Sequence, residues 1–255
     1  MGAFQYRMRS GNSIGLSALF LMAVAVLSLA AAAPARSADE IPFSKAKIII
    51  EFNASANDVG VQVLLDGEPW KWVKIETPAG RTILNITSSG SLRKQGLTEL
   101  FFESSEPSLD EVPLAQFLAR FPEGEYEFEG MTIEGDELEG TATFTHVIPA
   151  GPVIVSPPQG NVPPVVDPNN LVIDWAPVTE TITGSQAIQI VGYQVIVEQV
   201  EPRRVHSIDL PAAVTSVKIP PEFFVQPNTL HKFEVLAIEA GGNQTITEGE
   251  FVTKP

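Results

Sequence analysis

Three segments in the last hundred residues place their large apolar side chains on alternate positions: Leu171, Ile173 and Trp175, then Tyr193, Val195 and Val197, then Phe233, Val235 and Ala237. A period of two is the period of a strand that buries one face, and a helix cannot accommodate it. Several such strands must cover one another, so this part of the chain is predicted to form two packed sheets. At 255 residues with 44% hydrophobic composition, the chain has room for a second core of similar size.

A Trp ends the Leu171–Trp175 run, a Tyr opens the next, and the penultimate run closes on Ala240-Gly-Gly-Asn243. With these features residues 151–255 resemble the fibronectin type III domain. The resemblance implies a sandwich with strands near Val153–Val155, at Trp175, at Tyr193, over Arg203–Leu210, over Thr215–Ile219, at His231 and over Thr245–Thr253. It implies a spacer or binding unit and no particular chemistry, because this fold hosts many roles. Two departures stand out. His231 occupies the place where the family carries the tyrosine of a tyrosine corner. The loop at Ala240–Asn243 lacks Arg-Gly-Asp, which excludes integrin-type adhesion through that tripeptide.

Ahead of this region, residues 1–38 read as a secretory signal peptide. Arg7 and Arg9 precede an apolar run from Ile14 to Ala33, and a small-residue exit leads into Ser37-Ala-Asp-Glu40. An uncleaved anchor is the alternative. The expected product is secreted or periplasmic, with no membrane attachment after cleavage. Residues 39–150 read as a separate antiparallel β-sandwich of about seven strands that matches no family by its motifs. Its clearest hairpin is predicted to join Gly60–Leu65 to Trp70–Glu76 across Asp66-Gly67. A helix is predicted from the capping box Ser108-Leu-Asp-Glu111 to Arg120, and Ser88–Gly96 reads as a polar loop. A short, stiff link at Ile148–Pro152 separates the domains. The fold class expected is therefore all-β, two antiparallel sandwiches in tandem.

Charge restricts partners. The 31 acidic and 16 basic residues give a formal −15, and loss of residues 1–38 removes three arginines and leaves −18. Nucleic acid is excluded as a partner by repulsion, while cations and basic surfaces fit. Cysteine is absent, which removes thiol catalysis, thiolate metal sites and disulfides. Gly-x-Ser-x-Gly, His-Glu-x-x-His and phosphate-loop motifs are absent too. No cofactor is expected apart from calcium.

The acids concentrate between Glu123 and Glu139, where eight of seventeen residues are carboxylates. Clustered hard oxygens suit calcium, with Asp58, Glu134, Asp136 and Glu137 as candidate ligands. A pair of carboxylates could instead cleave a glycosidic bond. The alternation of Glu125, Glu127 and Glu129 with Tyr126 and Phe128 fits a third description, the solvated face of a sheet. Trp70 and Trp72, two apart on one strand, are candidates for a sugar-stacking platform or for core. The chain thus reads as a binding or surface-interaction protein whose partner is a protein or a glycan. A carboxylate-dependent extracellular polysaccharide hydrolase and a calcium-stabilised structural protein are the alternatives.

Overall fold

In the computed structural model the described residues are 40–184 and 187–255, so the expected signal peptide lies outside them. Strands dominate. The first half holds β1 (Glu40–Pro42), β2 (Lys45–Asn53), β3 (Asp58–Glu76), β4 (Thr82–Thr87), β5 (Leu97–Glu103), β6 (Gly124–Thr132) and β7 (Glu137–Phe144). Two short helices interrupt them, α1 (Gly90–Gln95) and α2 (Leu114–Leu118). Its core is built from alternate residues: Ile48 and Ile50, Val59 to Leu65, Val73 and Ile75, Tyr126 and Phe128, Leu138 and Phe144.

The expected hairpin at Asp66-Gly67 does not exist, because β3 runs unbroken through 19 residues. Gly67 is not in a positive-φ conformation. It serves close approach instead, since a Cβ there would come within 2.9 Å of the Phe43 ring. β3 lies between β2 and β5 along its first part and between β4 and β6 along its last. One strand thereby belongs to both layers of the sandwich, and its change of partners occurs across the irregular register between Asp66 and Trp70.

The predicted helix is also cut short. The Ser108 hydroxyl accepts the Asp110 N–H in a local turn, and helix begins only after Pro113, whose backbone is extended (φ −53, ψ 142). A residue preceding proline is pushed out of the helical region, so the Ser108 turn cannot propagate through Val112. What remains is one turn that anchors Phe117, and the expected loop at Ser88–Gly96 contains α1.

The second half contains β8 (Val153–Ser156), β9 (Val165–Val166), β10 (Val172–Ala176), β11 (Ile190–Gln199), β12 (Arg204–Pro211), β13 (Ser216–Lys218), β14 (Leu230–Glu239) and β15 (Gln244–Thr253). Sheet order β13-β10-β8 faces order β15-β14-β11-β12, which is a sandwich consistent with a fibronectin type III-like fold. Trp175 is 1% exposed and meets Tyr193 edge-on at 5.3 Å. The Tyr193 hydroxyl accepts the Val178 N–H at 3.0 Å. His231 is fully buried, lies flat on Phe251 at 5.1 Å, and bonds through Nδ1 to the Thr229 carbonyl at 3.0 Å.

The first core ends with Ile148, the second takes in Ala150, and the described chain is one compact unit. The halves share a sheet, because β15 pairs in parallel with β2 over three residues. Asn243, 2% exposed, pins this seam. Its Oδ1 accepts the Ile50 N–H at 2.8 Å, and its Nδ2 donates to the Thr145 and Val147 carbonyls. Among the described residues no helix is long and apolar enough to cross a membrane.

Candidate functional site

The acidic segment folds into the β6–β7 hairpin, turned at Glu134-Gly135, where Gly135 has φ +100. Tyr126 and Phe128 point into the core, and the Tyr126 hydroxyl donates to the Pro122 carbonyl at 3.1 Å, which fixes the inner face of β6. Glu125, Glu127 and Glu129 are left facing out.

Neighbouring strands extend this outer face with further acids. Glu76 of β3 stands opposite Glu127, Glu139 of β7 opposite Glu129, and Glu40 of β1 opposite Glu137. Seven carboxylates thus share the outer side of β3, β6, β7 and β1, three pairs of them in direct cross-strand register. Oxygens of Glu76, Glu127 and Glu129 lie within 4.8 Å of one another, as do those of Glu40, Glu137 and Glu139. Lys74 answers one group, reaching Glu129 at 2.8 Å and Glu76 at 3.2 Å. The Glu129 bond leads in holding the Lys74 ammonium above its ordinary proton affinity, and the Thr82 hydroxyl, then Lys74, hold Glu76 below its own.

At one end of the face the acids give way to Trp72 and Met131. Together with Glu129, Gly130, Glu137, Leu138 and Glu139 these line a shallow depression. The expected Trp70–Trp72 platform is corrected here, since the two indoles do not share a face. Register shifts between them, so Trp70 is fully buried, Val73 and Ile75 take the inner positions that follow, and half-buried Trp72 turns outward alone.

Of the four calcium candidates, Glu137 alone joins a carboxylate group on this face. Glu134 is exposed at the turn, and Asp136 is 6% exposed beneath it. Asp58 opens β3 at the other end of that strand. In the oxygen-rich turn Asn53–Asn57, Asn53 Oδ1 accepts the N–H groups of Ser55 and Ala56, while the Asn53 amide and the Ser55 hydroxyl bond to Glu248. Sequence spacing found the β6 stripe but not Glu40, Lys74 or Glu76, which reach the face through strand pairing alone. A second group missed in the sequence, Glu51, Glu103 and Glu106, gathers near the seam, again with oxygens within 4.8 Å.

No protein-family model matches the sequence, and no curated protein matches it. Among solved structures, the chicken CNTN1 FN1–FN3 domains align at 12% identity over 85% of this chain and 65% of that one, with a TM-score of 0.31. A two-domain fibronectin type III segment from chicken tenascin aligns at 8% identity, covering 83% and 99%, with a TM-score of 0.30. A myokine structure aligns at 15% identity over 44% of this chain and all of its own, TM-score 0.30. The chain spans just under two thirds of the first. Superpositions this loose carry no argument about function, and the fold rests on the strand pairing above.

Proposed function

We propose that the chain is a secreted or periplasmic surface-interaction protein that binds a basic protein partner through the outer face of β3, β6, β7 and β1. The observation that carries this reading is the cross-strand register of Glu76–Glu127, Glu129–Glu139 and Glu40–Glu137. Like charges directly opposite one another destabilise a sheet, a penalty that Lys74 reduces at Glu76 and Glu129. A cationic partner removes that penalty. An extended segment laid along β6 brings every second side chain to the same side at about 6.6 Å intervals, the spacing of Glu125, Glu127 and Glu129. Trp72 and Met131 offer apolar and cation–π contact at the end of the row.

The hydrolase alternative requires two carboxylates facing a sugar across a cleft, about 5 to 9.5 Å apart. The acids of this face project side by side from one open sheet, which favours binding. The calcium alternative draws on the same close-set oxygens and is separable by experiment: millimolar calcium should raise the melting temperature no more than sodium at equal ionic strength.

The direct test titrates the chain with an alternating lysine peptide at low and moderate salt. Replacing Glu127, Glu129 and Glu139 by Gln is expected to weaken binding at least roughly tenfold and to flatten its salt dependence. Removing the same charge at exposed Glu111, Glu201 and Glu222 should change it far less. Equal losses in both triple variants would mean that net charge, not this face, binds the peptide.

A further inference from the structure

The seam between the halves is polar and acidic. Gln244 of β15 lies opposite Glu51 of β2, and its amide donates to a Glu51 carboxyl oxygen. Glu51 is 7% exposed. Gln62 of β3 donates to Glu103 of β5 at 3.0 Å, and the oxygens of Glu51, Glu103 and Glu106 lie within 4.8 Å of each other. Glu106 leans on Gly60, where a Cβ would come 2.8 Å from its Cγ. Asp58 of β3 adds a fourth carboxylate, one oxygen of which is buried without a hydrogen-bond partner. From β15, Glu248 accepts from the Asn53 amide at 2.7 Å, while its own N–H donates to the Ser55 hydroxyl. Burial leads in raising the proton affinity of Glu51, Glu106 and Asp58, and the charges that add to it are all carboxylates.

We propose that this seam is a proton-dependent clasp: with Glu51 and Glu106 protonated and sharing hydrogen bonds with Glu103, the halves are held in one sheet, and with all three charged the seam loosens. Burial, opposed by the Gln244 hydrogen bond and reinforced by the Glu103 charge, pushes Glu51 from 4.5 to about 7. Glu106 is pushed to about 7 in the same way, by burial and then by Glu103, Asp58 and Glu51. Glu106 is the more solvent-exposed of the two, so water screens it and Glu51 dominates the effect. The sign follows from linkage. A carboxyl bound more tightly by its proton in the closed state contributes its full stabilisation below about 4.5 and loses it as pH rises through about 7. This clasp is independent of the acidic outer face.

Hydrogen exchange on the full chain between pH 5.5 and 8.5, corrected for intrinsic rates, reads the seam directly. The Ile50 N–H, bonded to Asn243, and the Ala54 N–H, bonded to the Ile246 carbonyl at 2.9 Å, report its opening. Opening should increase by roughly tens of fold over that range, well beyond any change at β11 and β14. Glu51→Gln keeps an acceptor for Gln244 and should flatten the response. Should that variant fail to fold, Glu103→Gln at an exposed position should also reduce it. Seam exchange that ignores pH, or a wild-type pH response in the variants, would overturn the clasp.

Discussion

Trp175 and Trp72 illustrate what single residues disclose. Trp175 follows from its register with Leu171 and Ile173, and the structure buries it against Tyr193 at 5.3 Å. Trp175→Ala should cost about 3 to 5 kcal/mol and unfold the second half well below the wild-type transition, as followed by denaturant melts. A cost under about 1 kcal/mol would show that the ring is not central to the core. Trp72 was not legible in the same way, because a bulge resets the alternation that sequence spacing assumes to be continuous. His231 adds a charge-sensitive position to the second core. Burial lowers its proton affinity below the ordinary 6.5, while its bond to the Thr229 carbonyl acts weakly in the other direction. The unfolded chain therefore takes up the proton first, and stability of this half falls as pH drops below about 6.5. Thermal melts between pH 7 and 5 should show His231→Phe gaining on wild type as pH falls, and parallel curves would disprove the assignment.

At the level of elements, hydrophobic alternation was enough to find nearly every long strand but not their ends or partners. Asp66-Gly67 has turn chemistry, yet the need to admit the Phe43 ring decides what Gly67 does, and that ring comes from a distant part of the chain. The capping box at Ser108 was a sound local signal overridden by Pro113 five residues later. The β6–β7 hairpin was readable as a solvated stripe, whereas its opposed acid pairs required the registers of β1 and β3. Those pairs make a prediction of unusual sign. Glu139→Gln removes a carboxylate directly opposite Glu129 and should stabilise the first half by about 0.2 to 1 kcal/mol while weakening a basic ligand. A variant less stable than wild type would remove the electrostatic argument for the face.

For the molecule as a whole, the chain's acidity and its two apolar cores are properties of composition and period, and both were legible. The continuous sheet was not, since three residues of parallel pairing between β2 and β15 join segments nearly two hundred positions apart. Joining the halves this way holds the acidic face on a single framework with the second sandwich. The proposed basic partner meets β6 and β7 together with the neighbouring parts of β3 and β1. Chemical-shift mapping of the labelled chain during titration with an alternating lysine peptide locates that contact. The largest changes are expected at Trp72 to Glu76, Glu125 to Met131 and Glu137 to Thr141, reversed by salt. Changes centred on β12 or on the second sandwich, or none beyond those of a salt-matched control, would contradict that contact.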